Sequence, residues 1–462
     1  MFRRRAALRL VIALFVTALL LSILMHGRGV VHNDPARNVW IPSELTMPLQ
    51  LQVAYSDTQI FFHYRWPAER PHVFTDLLLY KDGKWQKQIG TPIGSAPDGM
   101  VEDRLAMMLD DGSVPEFSRY GGYITVGASP RDFTGSGPDG AHRRKYLSGT
   151  RRDPNDWYSI VDQATLAEQR RAGYFLDLWN WRAHLSNPLG YGDDQHIAWY
   201  RLYDSGEPMF FGNWDAENAQ PRWMFDPRRT GTAALRWEDL ENWHGETDTP
   251  PSYLSAEMAV PFEPGYAWRE GDVIPGQVLR EPSGSRADIR VLGKAHWADG
   301  YWDVALVRAL DTGYPLEDKI LRHQGVYSIA LAVHRDARAS RWHYVSLPLQ
   351  VGLGRGADLV AAHITGEAPD WTRIETRELT LFYPGQVNWQ RLPSGIHAGA
   401  PYIAKGVPVK FRHKERQLAE YGIELEFDRE IRRQWWLNLI AGVLLLASFA
   451  WSASWLIGPP ED

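Results

Sequence analysis

Residues 174–196 read YFLDLWNWRAHLSNPLGYGDDQH. The run gathers Trp179, Trp181, Arg182, His184, Asn187, Pro188, Tyr191, Asp193 and Asp194. Aromatic planes, a guanidinium, an imidazole and a pair of carboxylates in so short a span could line one cofactor wall. A short helix over Asp162–Arg171 leads into it. On either side the pattern is that of strands and turns. Strands do not alternate with helices, so a parallel α/β sheet is not expected.

Working outward, Ile60, Phe62, Tyr64 and Trp66 alternate with Phe61, His63 and Arg65, the period of a half-buried strand. DLLLYKDGKWQ carries Asp82-Gly83 between two short apolar runs, a hairpin signal. Leu105, Met107 and Leu109 form another inward-facing set. HWADGYWDVALVRAL repeats the Asp-Gly turn and then sets Trp302, Val304 and Leu306 on one face. GVYSIALAV is continuously apolar, as a central strand is. HYVSLPLQV follows, with His343, Val345 and Leu347 at alternate positions and expected to point inward. The fold class expected is mainly β: an antiparallel β-sandwich ectodomain with long loops, bracketed by N- and C-terminal transmembrane helices.

The brackets are two apolar runs. Residues 10–25, LVIALFVTALLLSILM, hold no charge and follow the basic MFRRRAALR. Residues 435–457 begin with Trp435-Trp436 and end near Trp455, the placing of interfacial aromatic belts. The early arginines are expected to stay cytoplasmic, so the large middle faces the periplasm of a bacterial inner membrane. The expected segments are an anchor or uncleaved signal over 1–28, the sandwich over 29–413, a charged juxtamembrane helix over 414–434 and the final span over 435–457.

Composition removes several function classes. A net charge of −6 over 462 residues, with no basic stripe, argues against a nucleic-acid partner. There are no cysteines, which excludes thioether-bound haem, iron–sulfur clusters, thiolate zinc and disulfides. The glycine-rich GSGPDG over 135–140 lacks a leading strand and reads as loop, as does VGLGRGA near Gly352. No HExxH or Gly-x-Ser-x-Gly constellation appears, so independent catalytic activity is not expected. The 21 tryptophans read first as sandwich interior.

The opening run resembles the DLWHWRA–NP–GYADD signature of the haem-binding family related to ethylbenzene dehydrogenase and the dimethyl sulfoxide reductase-like haem-binding domains. IFFHYRWP, EDRLAMMLDDGSVPEF, KYL, HWADGYWDVALVRAL, RWHYVSLPL and FYPGQVNWQ extend the likeness in order, from about residue 47 to 422. The resemblance implies a sandwich that holds haem for electron transfer beside a membrane quinol or b-type cytochrome partner, or a periplasmic redox enzyme. Where c-type relatives carry attachment motifs, this chain has GGYITVGAS and GVPVKFRHKE, with Val409 and Arg412 at the cysteine positions and His413 retained. Only a noncovalent haem b is therefore compatible with the resemblance.

For such a haem the resemblance implies a methionine on one side and a late lysine or histidine on the other. The metal ligands expected are His343 and Met107, with Met108, His184 and His296 as alternatives, and Arg182 and Lys145 as propionate partners. Each has an ordinary structural reading: core histidine, gap-filling methionine, solvated cation. A second function stays open, a cofactor-free binding or scaffold module recognising carbohydrate or assembling a complex. Its candidates are Trp214, Trp223 and Trp243, which lie in loop-like sequence.

Overall fold

The computed structural model describes residues 11–20, 46–88, 102–127, 145–153, 158–241, 243, 252–335, 343–382, 433 and 436–451. GSGPDG, Val409, Arg412, His413 and nearly all of the expected juxtamembrane helix lie outside them. The chain divides into residues 35–412 and a second unit made of 1–34 with 413–462.

The larger unit is mainly β. Its principal sheet has fourteen strands. In chain order they are β1 Thr46–Tyr55, β2 Gln59–Pro67, β3 Arg104–Asp110, β4 Leu176–Arg182, β5 Asp193–Ile197, β6 Arg201–Tyr203 and β7 Arg290–Val291. Then follow β8 His296–Ala298, β9 Tyr301–Ala309, β10 Val326–His334, β11 His343–Val345, β12 Leu349–Leu353, β13 Leu359–His363 and β14 Arg377–Phe382. Hydrogen bonding runs β6-β5-β4-β3-β10-β11-β14-β1-β2-β9-β7, with β12 and β13 forming a second bridge between β10 and β1. The bridge is where the antiparallel expectation gives way, because β13 runs parallel to both β1 and β12. The result is one curled, mixed sheet.

Curling brings β3, β4 and β10 face to face with β2 and β9. Pairing sets Trp66 opposite Trp302, Tyr64 opposite Val304 and Phe62 opposite Leu306, so the alternation read in the sequence is the inner face. On the other side Met107 pairs with Trp179, and Leu105 with Trp181. The two sides meet edge-on: Phe62 against Trp179 at 5.4 Å between centroids, Trp181 against Trp302 at 5.1 Å. Trp66, Trp179, Trp181 and Trp302 are fully buried. Both Asp-Gly hairpins form, with positive φ at Asp82, Gly83, Asp299 and Gly300, the backbone sign that such two-residue turns require. The short helix forms over Gln163–Arg171, capped by the Asp162 carboxylate.

A four-stranded sheet, ordered Leu235–Arg236, Asp272–Pro275, Leu77–Lys81, Lys84–Lys87, and several two-stranded pairs decorate the sandwich. Helix Pro115–Thr125 covers the outer face of β3 and β10, where Phe117 packs with Leu178 and Ala330.

In the smaller unit, residues 11–20 and 436–451 are helical. Among the described residues no helix is long and apolar enough to cross a membrane, so the expected bracketing spans are not found as such. On these two helices the buried positions are Ala18, Ala441 and Ser448, while Val443, Leu446 and Phe449 are exposed.

Candidate functional site

The signature run folds as β4, a turn and β5, and its polar residues converge at one end of the sandwich interior. Asp177 lies opposite His196, and Trp179 opposite Asp194, across the β4–β5 pair. These positions share the inner face with Met107 and Leu109. From the facing half comes Arg308, one alternation step beyond Leu306 on β9 and itself 1% exposed. Its Nη2 donates to Asp177 Oδ2 at 2.7 Å, and its Nη1 lies 3.3 Å from both Asp194 Oδ2 and Asp318 Oδ1. The guanidinium also caps the Trp179 ring at 4.7 Å. Asp204 adds a fourth carboxylate, paired with His196 Nδ1 at 2.5 Å.

A buried centre so rich in acid cannot keep every group ionised at ordinary cost. Burial, reinforced by Asp318, pushes the Asp194 carboxyl well above the usual carboxylate range. Burial and Asp318 do the same to Asp204. Burial pushes Asp318 up to about 7, against the pull of Arg308. Burial alone would weaken the hold of Arg308 on its proton, but Asp177, Asp318 and Asp194 outweigh it and raise its pKa.

Asp318 also lines a cavity of about 450 Å³ that includes Asp111, Arg171, Phe175, Lys319 and Tyr327. Lys319 Nζ is held at its wall by Asp111 at 2.8 Å, Asp110 at 3.3 Å and the Gly173 carbonyl at 2.7 Å. It also sits 4.4 Å from the centre of the Phe175 ring.

The expected haem ligands are distributed differently. Met107 is buried, and its Sδ accepts a hydrogen bond from Tyr64 Oη at 3.1 Å across the sandwich. Burial raises the Tyr64 pKa well above its usual value, so the phenol keeps that proton. Met108 lies on the opposite face, where its Sδ would stand 2.7 Å from a Cβ at Gly122 on the covering helix.

The backbone of His343 pairs with His334, which pairs with Arg104. Position 343 therefore shares a sheet face with Met108 and not with Met107. This corrects the expectation that Val345 follows the inward face, since it pairs with Ala332, which pairs with Ala106. The strand read through HYVSLPLQV breaks between β11 and β12, leaving Pro348 outside both, and pairing to β10 sets the face. Along β10, Met108 is matched to Ala330 and position 343 to His334, four residues apart. That is roughly 13 Å along the strand and about two strand spacings across it. Two positions so far apart on one face do not flank one iron.

His184 is 1% exposed. Its Nδ1 faces the Val73 carbonyl at 2.6 Å and must be the donor there, which leaves Nε2 with a lone pair and no hydrogen-bond partner. Burial lowers its pKa, so the ring is neutral. Arg182 is engaged with Glu102, whose carboxylate also takes the backbone N–H of His184 at 2.8 Å and of Leu185 at 3.1 Å. Burial opposes ionisation of Glu102, yet Arg182 and Arg104 hold its pKa below the usual value. Arg182 is thus committed inside the protein.

His296 is exposed, with its ring 3.1 Å from the Lys294 carbonyl. Lys145 is half-buried just before Tyr146–Leu147. Of the three aromatic candidates, Trp243 packs edge-on against Phe74 at 5.5 Å, Trp214 is half-buried in a short hairpin, and Trp223 is half-buried in a strand that pairs with Ala259–Pro261. The structure brings Arg182 and His184 together around Glu102. It does not assemble Met107 with His343.

Arg308, Asp318, Asp204 and Lys319 escape a reading by local motif. One signal was available: continuing the Trp302-Val304-Leu306 alternation by one step places Arg308 inside, and an inward arginine calls for acids.

A family model described as ethylbenzene dehydrogenase matches residues 26–346. No curated protein matches the chain.

Proposed function

The chain belongs to the ethylbenzene dehydrogenase family, and we propose that within this redox-related family it acts as a cofactor-free accessory module. On this reading it docks or stabilises a redox partner and performs no bond chemistry of its own. One observation carries the reading. The interior that the resemblance assigns to haem is closed by indole packing, and the thioether of Met107 is occupied by the Tyr64 hydroxyl. A porphyrin needs an open apolar slot with ligands on opposite sides. The described ligand candidates do not fit that requirement as a Met107–His343 or Met108–His343 pair.

Membrane attachment on the non-cytoplasmic side is part of the proposal. Its support is the basic start of the chain, the two apolar end runs, and helices that bury Ala18, Ala441 and Ser448 while exposing Val443, Leu446 and Phe449. Small residues inside and large apolar residues outside is the pattern of helices that pack together in lipid.

Expression of the full chain with haem supply tests the reading. We expect a folded, colourless protein. A Soret band that shifts on reduction and disappears in Met107→Leu would overturn it.

A second reading, noncovalent haem electron transfer, draws on His184 alone. An imidazole with Nδ1–H locked on a carbonyl and a bare Nε2 is the form that ligates metal. A haem spectrum abolished by His184→Ala, with unchanged far-UV dichroism, would favour it.

A further inference from the structure

We propose that the cavity beside Lys319 binds a small organic monocarboxylate, with Arg171 and Arg322 holding its charge and an apolar wall receiving its body. The inference goes beyond the accessory role and does not rest on it. Haem content tests that role, whereas ligand titration tests this one.

The cavity measures about 450 Å³ and lies where three segments meet: the turn after β3, the end of helix Gln163–Arg171, and the connection from β9 to β10. Small-molecule sites span roughly 300–1,000 Å³, so the volume suits a compact ligand. Two lining glycines let polar groups reach the wall. A Cβ at Gly325 would lie 2.3 Å from Tyr327 Oη, and one at Gly173, where φ is +79°, would lie 2.7 Å from Ser113 Oγ. Pro315, Ile320 and Val326 supply apolar wall.

Several of the charges here are already matched. The Lys319 ammonium faces Asp110, Asp111 and the Gly173 carbonyl, which occupy its three donor positions. Both oxygens of Asp318 are engaged, Oδ1 by Arg308 and Oδ2 by Thr312 and Ser285. Arg171 and Arg322 remain. Both border the cavity and are solvent-exposed. Among the described residues neither makes an ion pair; Arg171 donates from Nε to the Ala167 carbonyl of its own helix at 3.2 Å. Setting Arg171, Arg322 and Lys319 against Asp110 and Asp111 leaves one positive charge, which suits a monoanion. A guanidinium fork matches the planar geometry of a carboxylate. Asp111 in the wall disfavours a dianion such as phosphate.

A buried donor points to the same ligand. Tyr327 is 6% exposed, and its Oη accepts the Arg322 backbone N–H at 2.6 Å. Burial raises its pKa, so the phenol keeps its proton. Among the described residues nothing accepts that proton. A buried donor without an acceptor is costly, and a ligand oxygen in the cavity removes the cost.

The test titrates the purified full-length chain with acetate, butyrate and benzoate by isothermal calorimetry, beside neutral benzamide and inorganic phosphate. Saturable binding of one carboxylate per chain is expected, with benzamide and phosphate both much weaker. Arg171→Gln and Arg322→Gln should each weaken the best carboxylate by roughly tenfold or more, the loss of a charge-assisted hydrogen bond. Tyr327→Phe should weaken it by roughly two- to tenfold. Arg373→Gln, an exposed arginine away from the cavity lining, should change nothing. No saturable carboxylate binding in wild type overturns the proposal. So does benzamide or phosphate binding as tightly as the carboxylates, or binding that survives both arginine substitutions. Should a variant fail to fold, the wild-type contrast between benzoate and benzamide decides.

Discussion

Replacing Arg308 by methionine is the sharpest perturbation of the buried centre. The side chain is 1% exposed and makes ion pairs with Asp177, Asp194 and Asp318 while covering the Trp179 ring. Methionine keeps much of the volume and the ring contact but removes the charge. Breaking a buried ion pair by deleting one partner costs about 3–5 kcal/mol, because the other charge is left unpaired. Here three carboxylates share the loss. They also have an escape, since Asp194 and Asp318 already hold protons more tightly than usual. Protonation caps the cost near the same 3–5 kcal/mol figure, roughly, instead of multiplying it. For a unit of this size that corresponds to a fall in melting temperature of roughly 4–6 °C. The assay is thermal unfolding of wild type and Arg308→Met in EDTA at pH 5.5 and pH 8. The loss should be larger at pH 8, where the acids must ionise without their cation. An equal or larger loss at pH 5.5 would refute the reasoning, as would a variant as stable as wild type at pH 8.

Further outcomes follow from the same geometry. Asp318 has a folded pKa of about 7 against an ordinary 3.8, so between those values the native state holds a proton that the unfolded chain has released. Wild type should therefore lose stability as pH rises from about 5 to 8; denaturant midpoints that rise over that window would contradict this. Met107→Leu conserves packing but strands the Tyr64 hydroxyl, a cost of about 1–3 kcal/mol. Tyr64→Phe added to it should recover most of the loss, and a double-mutant cycle of unfolding energies checks the coupling. Gly206→Ala should nearly abolish folded yield, because φ is +121° and the new Cβ would fall 1.7 Å from the Ser283 carbonyl oxygen. Gly212→Ala, with nothing within 4 Å, should be tolerated, and size-exclusion yields compare the two.

Much of the architecture was readable from short-range pattern. Alternation over residues 60–66 and 302–306 gave the inner face, and Asp-Gly pairs gave two hairpins, because both depend only on neighbours in sequence. What pattern could not supply was register between distant strands. Val345 faces away from Met107 because β11 pairs with β10 in one register and the strand breaks before Pro348. Arg182 looked available for a propionate because its partner, Glu102, lies 80 residues away in sequence. The candidate site was half legible. The signature run displayed Asp177, Asp193, Asp194 and His196, but Arg308 and Asp318 reach them through sandwich closure, more than a hundred residues downstream. An arginine in an otherwise apolar alternation, VALVRAL, was the clue to that convergence.

The most direct measurement is the haem content of the full chain purified from its native host, by absorbance and pyridine haemochrome assay against protein concentration. A cofactor-free module with Met107 bound to Tyr64 predicts a haem-to-protein ratio near zero in folded, monodisperse material. A ratio near one, with a reducible low-spin spectrum, would contradict it.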